Sequence, residues 1–141
     1  APNRAAVSAV SRVLKRALRI FLVLPAIGFL VTGLRFAVAP AGAAKGLAMP
    51  LLDGAARSSQ IGDVGALFLG MGLMILTALV TLERTWFVAP AILLLLVAVL
   101  RVLAWLFHGA ALMMPMIVPE IVIGGLLLLA STKLAEVERV E

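Results

Sequence analysis

The sequence predicts an all-α integral membrane protein: a four-helix transmembrane bundle preceded by a short, basic, amphipathic helix. Three observations predict it. Hydrophobic residues fill 64% of 141 positions and only 13% are charged, whereas a soluble domain carries about a quarter charged residues. Mean hydropathy is +1.20. The apolar residues fall into four runs, each near the ~20 residues that cross a bilayer as a helix. One core in a chain of this length cannot bury so much apolar surface, so the excess faces lipid.

Residues 1–19 form the lead-in. Val7, Val10, Val13 or Leu14, and Ala17 or Leu18 recur at helical spacing, with Arg12, Lys15, Arg16 and Arg19 between them. This is the pattern of a helix lying on the membrane surface. The bundle is expected over 20–135, with spans at about 20–39, 62–82, 86–107 and 116–135, and a tail over 136–141. Ala37-Val38-Ala39 resembles a signal-peptide cleavage site. However, the apolar run before it exceeds the usual ~7–15 residues, Arg35 interrupts its end, and Pro40 would follow the cut. The run is therefore read as a span.

Pro115 and Pro119 suit the start of the fourth helix, where the first N–H groups have no intrahelical partner. Trp86 and Trp105 bracket the third. Nineteen residues separate them, about 28 Å of helix, so an aromatic side chain stands at each interface of one hydrocarbon thickness. The connection at Glu83-Arg84-Thr85 is so short that its helices must be antiparallel neighbours. The loop from Pro40 to Ile61 holds Leu47, Met49, Leu51 and Leu52, and is expected to lie on the bilayer surface or to cap the bundle.

Basic residues outside the spans divide unequally. Arg4, Arg12, Lys15, Arg16, Arg19, Arg84, Lys133 and Arg139 share one side, against Lys45 and Arg57 on the other. The positive-inside rule then puts both termini, and the tail, in the cytoplasm, which for a bacterial chain means a multi-pass protein of the inner membrane. The net charge of +5 belongs to this flank. No aromatic stacking platform accompanies it, so nucleic acid is not an expected partner.

Four charges interrupt the spans: Arg35, Asp63, Arg101 and Glu120. Each costs about +2.5 to +3.5 kcal/mol on insertion scales and so faces a partner or a wet cavity. All four fall toward the non-cytoplasmic side, which predicts a buried charge cluster with His108 at its rim. Arg101 and Glu120 lie at matching depth on neighbouring helices. Two roles are open to the cluster: an ion-pair lock that sets helix register, or a polar pocket for a small or amphiphilic ligand.

The two helical hairpins carry matching residues. Pro25-Ala26-Ile27 and Leu34-Arg35 in the first span answer to Pro90-Ala91-Ile92 and Leu100-Arg101 in the third, a parallel repeat. Gly62, Ala66 and Gly70 recur every four residues on the second span, a face that lets another helix approach closely, by default within the bundle. His108 stands at a helix end beside Gly109, away from any bundle interior where it could ligate haem or chlorophyll. With no cysteine, phosphate loop, metal-ligand spacing or Ser/His/Asp arrangement, no catalytic residue, metal or cofactor is expected, and an enzyme is the less favoured reading.

Gly62-Asp63-Val64-Gly65-Ala66-Leu67-Phe68-Leu69-Gly70, Leu100-Arg101-Val102 and Pro119-Glu120 resemble a bacterial family of small four-helix membrane proteins catalogued as a domain of unknown function. The resemblance covers roughly Ile20 to Ala130, with the basic lead-in as an addition. It implies a four-span fold and no assigned activity. A looser likeness to DoxX-like membrane proteins rests on size and topology.

Three functions fit these features. The foremost is a non-catalytic integral subunit or accessory protein of a larger membrane complex, for example a respiratory or photosynthetic one, with other membrane subunits as its partners besides the bilayer. The alternatives are a carrier or binding protein for a small hydrophobic or amphiphilic molecule at an outer-leaflet polar pocket, and a membrane oxidoreductase partner.

Overall fold

The computed structural model describes residues 3–135, so the expected tail over 136–141 lies outside the described residues. Helix α1 runs unbroken from Arg4 to Val38, opened by Asn3, whose side chain accepts a hydrogen bond from the Ala5 N–H at 3.1 Å. This corrects the expectation of a separate helix lying on the membrane. Nothing between Arg4 and Ile20 is a glycine or proline, and the stretch is rich in alanine, leucine and basic residues that favour helix. At 1.5 Å per residue, 35 residues extend about 52 Å against ~30 Å of hydrocarbon. The basic third of α1 therefore continues straight out of the bundle, and Asn3 to Arg16 are exposed on every side.

A short helix α2 (Pro40–Gly46) follows, then an irregular turn, then α3 (Gly54–Ser59). One π turn, Gln60–Val64, joins α3 to α4 (Gly65–Thr81), so the second apolar helix is continuous over Gly54–Thr81. Leu82 closes it in the left-handed conformation, with φ of 56°. Helices α5 (Arg84–His108) and α6 (Met114–Lys133) form the second hairpin. Both described chain ends and the α4–α5 connection lie at one end of the bundle, called here the termini end. The α2–α3 segment and the α5–α6 turn lie at the other, the cap end.

These four helices are long and apolar enough to cross a membrane, and their outward faces keep large apolar side chains exposed, Val80 at 83% and Phe107 at 73%. Hydroxyls on the spans bond back to their own helices: Thr32 to the Gly28 carbonyl, Thr77 to Leu73, Ser131 to Leu128. These hydroxyls are thus satisfied without water. The chain is a multi-pass membrane protein.

The shared core holds Leu18, Leu22 and Ala26 of α1, Met71, Ile75 and Ala78 of α4, Phe87, Ala91 and Leu94 of α5, and Leu127, Ala130 and Leu134 at the end of α6. All twelve sit at mid-bundle or toward the termini end. At the cap end the first hairpin has its own small core. There Phe36, Ala43 and Ala44 are buried under Leu47, Met49, Ile61 and Val64. The apolar residues of the long connection are thereby accounted for: they cap this hairpin. Gln60, 5% exposed, fastens the cap. Its Oε1 accepts from the Leu52 N–H at 3.0 Å and its Nε2 donates to the Pro50 carbonyl at 2.9 Å.

Glycine contacts close each hairpin. A Cβ at Gly72 would lie 2.9 Å from the Ala26 carbonyl oxygen and 2.6 Å from Leu30 Cγ. One at Gly124 would lie 3.6 Å from the Ala91 carbonyl oxygen and 3.0 Å from Leu95 Cγ. The residue after each mid-helix proline, and the leucine four further on, thus meet a glycine of the following span in both hairpins. The sequence repeat is repeated in the packing.

Candidate functional site

On α5 the inward stripe runs Phe87, Ala91, Leu94, Ala98, Arg101, Trp105. The first four are buried and the last two are not. On α6 it runs Ile117, Glu120, Gly124, Leu127, Ser131, all buried except half-buried Glu120. Both charges therefore occupy positions that helical spacing assigns to the core, at the end where the shared core has stopped. Arg101 lies ten residues beyond Ala91 and Glu120 four before Gly124, so their Cα atoms are offset by about 9 Å along the axes. Side chains lean toward the start of their own helix. Arg101 consequently reaches back toward mid-bundle and Glu120 reaches out toward the cap end, and they meet.

Arg101 Nε donates to both carboxylate oxygens, at 3.0 Å to Oε1 and 3.2 Å to Oε2. Side-chain exposure is 31% for the arginine and 14% for the glutamate. A guanidinium has five N–H donors; Glu120 takes one. No other side chain or carbonyl among the described residues accepts from Arg101, and no buried side-chain nitrogen or oxygen is left unpartnered. Both terminal amino groups therefore reach the surface with their donors open.

The other expected members of the cluster stand apart. Arg35 is exposed, with its Nη2 lying 3.0 Å from where a Cβ of Gly42 would be, so it lies over α2. Asp63, on the π turn, is exposed, and His108 is exposed at the last position of α5. Among the described residues the ion pairs are Arg57–Asp53 in the cap segment and Arg101–Glu120. The four span charges thus form one pair and two separate groups. The repeat explains why the acids differ: Asp63 lies nine residues before its glycine crossing at Gly72, and Glu120 only four before Gly124.

The stripe Gly62, Ala66, Gly70 does not carry the intramolecular packing expected of it. Gly62 and Ala66 are exposed, and nothing lies within 4 Å of a Cβ placed at Gly62 or Gly70. The close approach falls on the adjacent face: a Cβ at Gly65 would lie 3.2 Å from Phe36 Cβ, and one at Gly33 2.8 Å from the Leu69 backbone nitrogen. Gly33, Gly65 and Gly72 make the α1–α4 contact. Sequence reasoning also missed Gln60, a lone amide in a polar segment with no pattern to mark it. It took Trp105 as an interface marker, although Trp105 sits four residues after Arg101 on the same stripe. Among the described residues, no three of His, Asp and Glu converge as metal ligands would.

The geometry coincides with a family boundary. A domain of unknown function, DUF4345, matches residues 17–131, from the first buried turn of α1 to the last buried turn of α6. The chain belongs to the DUF4345 family. The match encloses the cap, the glycine crossings and the Arg101–Glu120 pair. It leaves out the exposed first part of α1, so the basic extension lies outside the DUF4345 domain. No curated protein and no solved structure matches the chain.

Proposed function

We propose that this DUF4345 protein is a non-catalytic subunit or accessory protein of a larger assembly in a bacterial inner membrane, with both termini in the cytoplasm. The observation that carries the reading is the uncovered apolar stripe on the extension of α1. Val7, Val10 and Val13 are 58%, 68% and 69% exposed. An amphipathic helix normally covers its apolar side with lipid or protein. Lipid is a poor candidate here, because a helix continuous with a spanning segment cannot also lie flat on the surface. A partner protein is the better one, and Arg12 and Arg16 beside the stripe favour a partner with an acidic, apolar face. The placement of the termini rests on the eight-to-two distribution of basic residues.

The test is a photo-crosslinking residue at position 10 in native membranes. The expected product is one adduct with a larger membrane protein, lost when Val13→Glu is added. The thermal stability of the purified bundle should not change, since the extension touches nothing in it. A product consisting only of crosslinked copies of this chain, or of lipid, overturns the proposal.

A further inference from the structure

The cap end of the second hairpin holds an unfinished polar site. Arg101 lies seven residues before the end of α5 at His108, about 10 Å in from the end of that span. Its side chain leans further inward to reach Glu120. Two amino groups with open donors are therefore accessible within an apolar span, where an N–H without an acceptor is strongly disfavoured. An acceptor from outside the chain is needed there. The first hairpin has its cap over the equivalent end. The second has none, and its inward stripe stays uncovered at Arg101 and Trp105.

The charge of the site selects the acceptor. Glu120 already neutralises the guanidinium, so an anionic head would place two negative charges around one positive charge in a low-dielectric setting. An uncharged carbonyl accepts from the free edge and buries no net charge. The paired amino groups present parallel donors suited to one or two such oxygens, and Trp105, 46% exposed, stands one helical turn further along the same face of α5, an apolar surface for the rest of such a molecule. We infer that Arg101, oriented by Glu120 and flanked by Trp105, binds the uncharged, carbonyl-bearing head of a lipid-soluble molecule entering from the cap-side leaflet. Glyceride esters and substituted quinones share that chemistry. The inference does not depend on the extension of α1, and the failure of either proposal leaves the other standing.

The chain has two tryptophans, so Trp86→Phe leaves Trp105 as sole fluorophore. The variant is purified in a maltoside detergent, which has no carbonyl group, and titrated separately with a decyl-substituted benzoquinone and a dibrominated diacylglycerol. Both quench indole emission on contact. Saturable quenching by at least one is expected, and which one saturates identifies the source. Arg101→Lys can still pair with Glu120 but has no forked edge, and should raise the half-saturation concentration at least tenfold without lowering the unfolding temperature. The Arg101→Met/Glu120→Met double variant should raise the half-saturation concentration likewise. Quenching that rises linearly with both probes overturns the inference. So does a half-saturation unchanged in both variants, or saturation by brominated phosphatidate where neither neutral probe saturates.

Discussion

Arg101 turns inward to Glu120, not outward to the nearer membrane surface. Arginines near the end of a span usually extend toward headgroups, but helix geometry leans this one the other way, and Glu120 leans to receive it at 3.0 Å. The contact links α5 to α6 beyond the shared apolar core, at an end of the hairpin where Ala98 and Ile117 are also buried.

Removing one partner should therefore cost more than removing both. The loss on Arg101→Ala is expected to be about 1–3 kcal/mol, below the range for fully buried pairs because both groups are partly exposed. The Arg101→Met/Glu120→Met variant should lose less than the sum of the two single changes. Thermal unfolding in detergent of the three variants closes the cycle, and strictly additive losses would show that the residues do not interact.

The two glycine faces of α4 should respond oppositely. Gly72→Ala puts a methyl group 2.9 Å from a backbone oxygen and should destabilise the bundle by about 1–3 kcal/mol through forced repacking. Gly70→Ala meets nothing within 4 Å and should be neutral or stabilising by up to about 1 kcal/mol from helix propensity. Comparing their unfolding temperatures in detergent checks both. Equal losses would mean that α4 is rotated from the position described.

How much was legible in advance follows from the same residues. The spans could be read because lipid requires a fixed length of apolar chain. The Arg101–Glu120 pairing could be read because a short turn forces two helices together at known depth. Helix rotation could not: Gly62, Ala66, Gly70 and Gly65, Gly72 are both plausible small-residue faces, and only the partner helix, through Phe36 and Leu30, selects the second. The continuity of α1 was hidden too, because the charge pattern of a surface-lying helix and that of a projecting one are identical. Arg35 and Asp63 looked equivalent to Arg101 and Glu120 because depth was counted from the span ends, whereas packing is set by the glycine crossings.

Gln60 should govern the cap alone. Gln60→Leu removes the acceptor for the Leu52 N–H and the donor to the Pro50 carbonyl, at a cost of about 1–3 kcal/mol for groups left unpaired. Amide hydrogen exchange should rise in 47–59 and stay unchanged in α5 and α6. Acceleration spread evenly over all four spans would show that the cap is not a separate unit.

Sidedness can be read directly, since the chain has no cysteine. Single cysteines at positions 4 and 84 should react with an impermeant reagent from one face of sealed vesicles, and those at 45 and 108 from the other. Labelling of 84 and 108 from the same face would contradict the four-span arrangement. Labelling of 84 from outside intact cells would reverse the proposed orientation.

The two alanine–glycine crossings sit within the hairpins, so each half has its own tight contact independent of how the halves are joined. The order in which they are strung together then matters little. Leu18 and Leu134 share one core, so the first and last spans end close together, at the same face as the Leu82–Glu83 connection. A short linker from Ala135 to Ala17, with new ends opened at Glu83, would give a chain that begins with α5 and α6, finishes with α1 and α4, and assembles the same bundle. The N-terminal rod would be shed in the process, leaving a minimal form in which the guanidinium site can be studied without it.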